Sequence, residues 1–241
     1  MANRAKKAQL KLPEKGFTII ELLIATMIFT VILLVLTYGV FAISKAYYKG
    51  LNQSDTQNTA RTILSDVIQS VEFGGGDSIA QMYGSVANND LSATPNSDNF
   101  GALCIGTQRY SYVLGTELTN ANHVLVQDTN SDCETNGTQD LTSPSVVGKE
   151  LMSPKMRLAV LDLINVAGSN LYKIHIRVVY GNNDVLCNEA AVSGSCNPTA
   201  PTMPNPSDYV GGGLTCKDQS GSQFCATSDL YTKLRNYHYW A

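Results

Sequence analysis

The sequence predicts an α+β protein. One long N-terminal helix, its first half transmembrane, packs its second half on an antiparallel β-sheet domain with disulfides. Three observations lead there. Residues 17–43 read FTIIELLIATMIFTVILLVLTYGVFAI, 27 positions with one charge, Glu21, and an apolar run of 18 or more is a membrane-spanning candidate. Further on, Ile63, Leu64, Val67, Ile68 and Val71 recur at helical spacing along an otherwise polar stretch. Beyond that, short runs alternate apolar and polar residues between turn-forming clusters, in company with six cysteines.

Charge sets the orientation. Residues 1–16 hold Arg4, Lys6, Lys7, Lys11 and Lys15 against Glu14, a net +4, so within a chain total of −3 the rest carries −7. A basic flank before a spanning segment stays in the cytoplasm, and the C-terminal side is exported. All six cysteines (Cys104, Cys133, Cys187, Cys196, Cys216 and Cys225) lie on the exported side, where an even count reads as disulfides. With 15% charged residues and an acidic exported part, the chain lacks the clustered Lys and Arg of a nucleic-acid binder, and no nucleic-acid partner is expected.

The apolar run is too long for a cleaved secretory signal, and no small-residue site follows it. The cue stands at its head instead, where Lys15-Gly16 meets Phe17 in KGFTIIELLIA. A polar leader, Gly16, Phe17, Thr18, then Glu21, Leu22 and Leu23 inside an uninterrupted apolar run resembles the prepilin signal of the type IV pilin family. That family includes pili, type II secretion pseudopilins and competence pseudopilins. The resemblance implies cutting between Gly16 and Phe17 by a membrane-embedded prepilin peptidase, with methylation of the new Phe17 amine. It implies that Glu21 pairs with that amine on a neighbouring subunit, which sets the axial offset between helices. The implied partners are other pilin subunits, the peptidase, a pilus assembly platform and the membrane. The implied location is the cytoplasmic membrane, single-pass with the N-terminus inside, and then a cell-surface filament.

Four segments follow: a leader over 1–16, a transmembrane half-helix over 17–43, an amphipathic half-helix over 44–73, and an exported β-rich domain over 74–241. Leu22 to Ile43 spans about 33 Å at 1.5 Å per residue, enough for the hydrocarbon layer. Gly39 and Gly50 are weak points where the helix could bend or melt, and Gly74-Gly75-Gly76 ends it. Asp77 to Phe100 reads as a polar surface loop. Arg109–Leu114 and His123–Gln127 read as short strands. Met156, Leu158 and Val160 alternate on one arm of a hairpin and Ile174, Ile176, Val178 and Tyr180 on the other, with Ala167–Asn170 as the turn. A second turn, Gly181 to Asp184, leads into Val185-Leu186-Cys187. The hairpin stretch is similar to that of PilW-like minor pilins, related to the J-type pseudopilins.

Six cysteines allow fifteen pairings. Cys187/Cys196 and Cys216/Cys225 each enclose eight residues, and Cys104/Cys133 would remain; Cys187–Cys225 nested around Cys196–Cys216 is the alternative. The family resemblance points to a C-terminal loop closed by Cys216 and Cys225. No zinc spacing occurs. Asp128, Asn130, Asp132, Glu134, Asn136 and Asp140 alternate oxygen donors as calcium sites do, but both possible frames fail the EF-hand template. A solvated acidic loop braced by Cys133 is the expectation, with no metal or other cofactor. His175 falls on the polar side of the hairpin as an exposed strand residue, His123 opens a strand, and His238 lies in an aromatic tail. No nucleophile, metal-protease or phosphate-loop motif is present. The chain reads as a structural subunit and not an enzyme: a minor pilin, or alternatively a pseudopilin of a secretion or competence system, or a filament-borne binding module.

Overall fold

The computed structural model describes residues 16–73, 79–83, 100–120, 122–129, 139, 141, 146–165, 171–182, 185–188, 214–216 and 222–235. The chain divides into two compact units, Met1–Lys45 and Ala46–Ala241. Helix α1 runs Ile19–Phe73 and contributes to both. It is unbroken at Gly39 and Gly50, so the expected weak points do not interrupt it: the cost of a glycine, about 1 kcal/mol, is small beside the hydrogen bonds of the flanking turns.

In the first unit the apolar side chains of 17–43 face outward, with Phe17 84%, Met27 71% and Ile43 71% exposed. Within the second unit α1 buries Thr56, Thr59, Ala60, Ile63, Val67 and Val71. Leu64 and Ile68 are half-buried against the same core. The stripe therefore starts two turns earlier than its aliphatic members. Thr56 can enter it because its hydroxyl donates to the Asn52 carbonyl at 2.6 Å, leaving only its methyl to pack.

Five strands form one antiparallel sheet in chain order: β1 (Ile79–Tyr83), β2 (Phe100–Ile105), β3 (Gln108–Val113), β4 (Leu125–Thr129) and β5 (Lys149–Glu150). Gly106, at φ 58°, turns β2 into β3, the positive φ that a tight hairpin asks of its first turn residue. β1 lies inside the span expected to be loop. It pairs antiparallel with β2 from Ile79↔Ile105 to Tyr83↔Gly101, so its strand character comes from a distant partner rather than from its own residues.

A second sheet has the order β10-β7-β6, built from β6 (Met156–Asn165), β7 (Leu171–Tyr180) and β10 (Ala226–Arg235). The expected turn at 167–170 lies outside the described residues. On β6 the anticipated alternation breaks at a bulge between Leu158 and Val160, where the register shifts. Past the bulge Leu161 and Leu163 join the core, and Val160 stands opposite Arg177 instead. Both sheets close on α1. Leu103, Ile105, Tyr110 and Tyr112 of the first and Leu158, Ile174, Ile176 and Val178 of the second share one buried core with Ile63, Val67 and Val71. Each such side chain contributes about 1.5–3 kcal/mol by leaving water.

A small hairpin, β8 (Leu186–Asn188) with β9 (Leu214–Cys216), supplies Leu186 and Leu214 to a satellite core with Ala159, Val179 and Cys225. Cys216 is disulfide-bonded to Cys225, joining the end of β9 to the start of β10. This pairing rules out the nested alternative. Cys104 is disulfide-bonded as well; Cys133 and Cys196 lie outside the described residues.

Arg157 is buried and ties these parts together. It donates to the Gly115 carbonyl at 2.8 Å and to Glu117 at 2.7 Å. Burial lowers its pKa, and Glu117 opposes that shift.

Candidate functional site

The start of α1 concentrates the residues that the sequence singles out. Thr18 immediately precedes the helix, and Glu21 is its third residue. The Glu21 carboxylate accepts from the Thr18 backbone N–H at 3.0 Å and from the Thr18 hydroxyl at 2.9 Å through the same atom, Oε2. In return the Glu21 N–H donates to Thr18 Oγ1 at 3.3 Å. This is a capping box, which satisfies backbone donors that the helix leaves unpaired in its first turn. Glu21 Oε1 has no partner among the described residues. Gly16 has nothing within 4 Å of the position where a Cβ would stand, and Phe17 is exposed, so among the described residues nothing covers the peptide between them.

The polar residues that follow are satisfied within the helix. The hydroxyls of Thr26, Thr30, Thr37 and Ser44 donate to the carbonyls of Leu23, Met27, Leu33 and Val40 at 2.7–3.0 Å. An apolar surrounding therefore meets these four hydroxyls already paired. Sequence reasoning singled out Gly16, Phe17 and Glu21 but missed the part played by Thr18. The signal was there to read: Thr-x-x-Glu before an apolar run.

Other candidates sit elsewhere. Asp128 lies on β4 and its two oxygens take Arg109, with Nε donating to Oδ1 at 2.9 Å. Asn130, Asp132, Glu134, Asn136 and Asp140 lie outside the described residues. Among the described residues no group of His, Cys, Asp and Glu could hold a metal ion. His123 Nδ1 stands 3.3 Å from Glu150, a carboxylate that also accepts from the N–H groups of Val124 and Leu125. His238 is outside the described residues. His175 differs from its expectation. Its side chain is only 14% exposed, because the ring stacks on Tyr231 at 3.9 Å and bonds Asp229 at 2.7 Å.

The comparisons with known proteins bear on one segment. Residues 12–37 match the family model described as the prokaryotic N-terminal methylation motif. The match covers Gly16, Phe17, Thr18 and Glu21 and well under half of the chain. It supports a type IV pilin-like protein processed by prepilin peptidase, of a kind that is structural and associates with other pilin subunits. With the outward-facing apolar helix, it indicates a membrane anchor. No curated protein matches the chain, and no solved structure matches it.

Proposed function

We propose that this protein is a minor pilin, a structural subunit of a type IV pilus. Prepilin peptidase cuts between Gly16 and Phe17 and the new Phe17 amine is methylated. The subunit waits in the cytoplasmic membrane with its second unit exported, and the assembly platform extracts it into a bundle of apolar helices. The observation that carries this reading is the start of α1: a Gly16–Phe17 peptide, a lone carboxylate at Glu21, and an apolar surface, none of which is covered in the first unit by any described residue.

Glu21 supplies the register. A charge near the membrane is costly, up to roughly 3 kcal/mol at a helix centre and less toward the interface. Pairing it with a neighbour's Phe17 ammonium offsets the desolvation of both groups. Its Oε1 remains available for that amine while Oε2 holds Thr18. The apolar side chains between Phe17 and Ile43 then leave lipid for the helices of neighbouring subunits, where close packing replaces acyl chains.

Intact-mass analysis of protein recovered from sheared surface filaments tests the reading. The expected species begins at methylated Phe17 and lacks six hydrogens for its six cysteines. A chain that begins at Met1, or beyond residue 43, overturns it. Retention in the envelope together with a secretion defect on deletion would make the protein a pseudopilin instead.

A further inference from the structure

The face of the β10-β7-β6 sheet turned away from α1 is covered at one end by the β8–β9 hairpin and open at the other. The open end holds a cleft of about 720 Å³ lined by Asp162, Ile164, Lys173, His175, Tyr231 and Lys233, a volume in the range of small-molecule sites. Three features are built and not incidental. Lys173 and Lys233 stand directly opposite each other across the β7–β10 pair, a like-charge placement that destabilises a sheet. Both are exposed and neither has a hydrogen-bond or ion-pair partner among the described residues.

Beside them Tyr231 is 68% exposed although it lies on a strand. Its ring is backed by His175, whose Nε2 is fixed to Asp229, and Asp229 is in turn held by Arg177 Nε at 3.0 Å. The platform is therefore held rigid with one face open. Ile164, 52% exposed, extends the apolar floor next to Lys173.

We infer that this cleft binds a carboxylate-bearing sugar, as part of an acidic glycan. The open Tyr231 face takes the C–H face of a pyranose ring, as aromatic platforms take flat apolar surfaces. The two ammonium groups take the carboxylate, which supplies the ion-pair partner that neither lysine has among the described residues. A nucleic acid fits less well. Asp162 lines the same cleft, so a phosphodiester track would meet a negative charge beside the lysines. This inference does not depend on the assembly role, since the cleft lies wholly within the second unit.

The test uses the full-length chain in detergent micelles, titrated with trigalacturonate, with its methyl ester and with oligothymidylate. Trigalacturonate should bind, and esterification should weaken it at least about tenfold, a 1.4 kcal/mol change. Lys173→Gln with Lys233→Gln should weaken it similarly, and Tyr231→Ala should abolish it. These side chains are exposed, so an unchanged melting temperature should accompany each loss. Equal affinity for the ester, no loss in the double-lysine variant, tighter binding of oligothymidylate, or no binding at about 10 mM trigalacturonate would each overturn the inference.

Discussion

Glu21 serves the helix through one oxygen, and the proposed register role falls to the other. Oε2 completes the first turn of α1 with Thr18, and Oε1 has no partner among the described residues. The two roles separate by mutation. Glu21→Ala should leave processing at Gly16 intact while the subunit stays in the membrane fraction and is absent from filaments; normal incorporation would refute the register role. Thr18→Ala should loosen only the helix start, by about 1 kcal/mol, read as roughly fivefold faster amide exchange over residues 19–22, with Thr18→Ser close to wild type. Glu21 was legible in the sequence because a lone charge in an apolar run is conspicuous. Thr18 was legible only as half of a pair, Thr-x-x-Glu, since a hydroxyl taken alone reads as mere tolerance of polarity. Tyr110 makes a further residue-scale point. Burial, ahead of every other influence, pushes its phenol up to about 12, although Ser70 and Gln127 bond it. The folded chain therefore keeps a proton that the unfolded chain releases above about pH 10. Stability should be level in this respect below pH 10 and fall as pH rises toward 12, by up to about 2 kcal/mol. Tyr110→Phe should flatten that decline in urea titrations, and an unchanged alkaline slope would show that the phenol titrates alike in both states.

At the scale of elements, helix and hairpin were legible because each carries its own periodicity. Ile63, Val67 and Val71 repeat at helical spacing, and Ile174, Ile176 and Val178 alternate. β1 and β10 were not. In β10 the packing face sets Ser228 and Thr232 beside Leu230 and Leu234, so its apolar alternation is diluted, and the strand is specified by ten paired positions on β7. The β6 bulge escaped for the same reason, since it is a property of pairing. Along α1 the same residue type serves two solvents, and this is testable. Ile63 is fully buried and Ile24 is 55% exposed. In detergent, Ile63→Ala should cost the second unit about 2–4 kcal/mol. Ile24→Ala should stay within about 0.5 kcal/mol. A thermal melt that drops equally for both would mean that the two halves of the helix do not have separate tasks.

For the whole molecule the decisive contrast lies between the two units. Residues of the first unit place their apolar side chains outward, whereas the second closes its own core and ties its satellite core with the Cys216–Cys225 disulfide. The lock sits where several chain paths meet. Gly181 leaves β7 at φ +145° with Val185 Cγ2 only 2.9 Å from a would-be Cβ and Cys225 Sγ at 3.4 Å. Cys225 in turn holds β9 against the start of β10 through Cys216. Opening that link frees a short loop in the unfolded chain, worth about 2–3 kcal/mol on chain-entropy grounds, and β9 is too brief at three residues to hold alone. The double variant Cys216→Ser with Cys225→Ser should therefore melt at lower temperature in its second unit and become sensitive to added protease between residues 214 and 226. Cleavage at Gly16 should proceed as before, because the signal and the capped helix start lie in the other unit. Mass analysis of the membrane-held variant reads both outcomes at once. A mature N-terminus at Phe17 on a domain that has lost its protease resistance is the expected pattern, and an unprocessed chain would show that the peptidase depends on the folded exported domain.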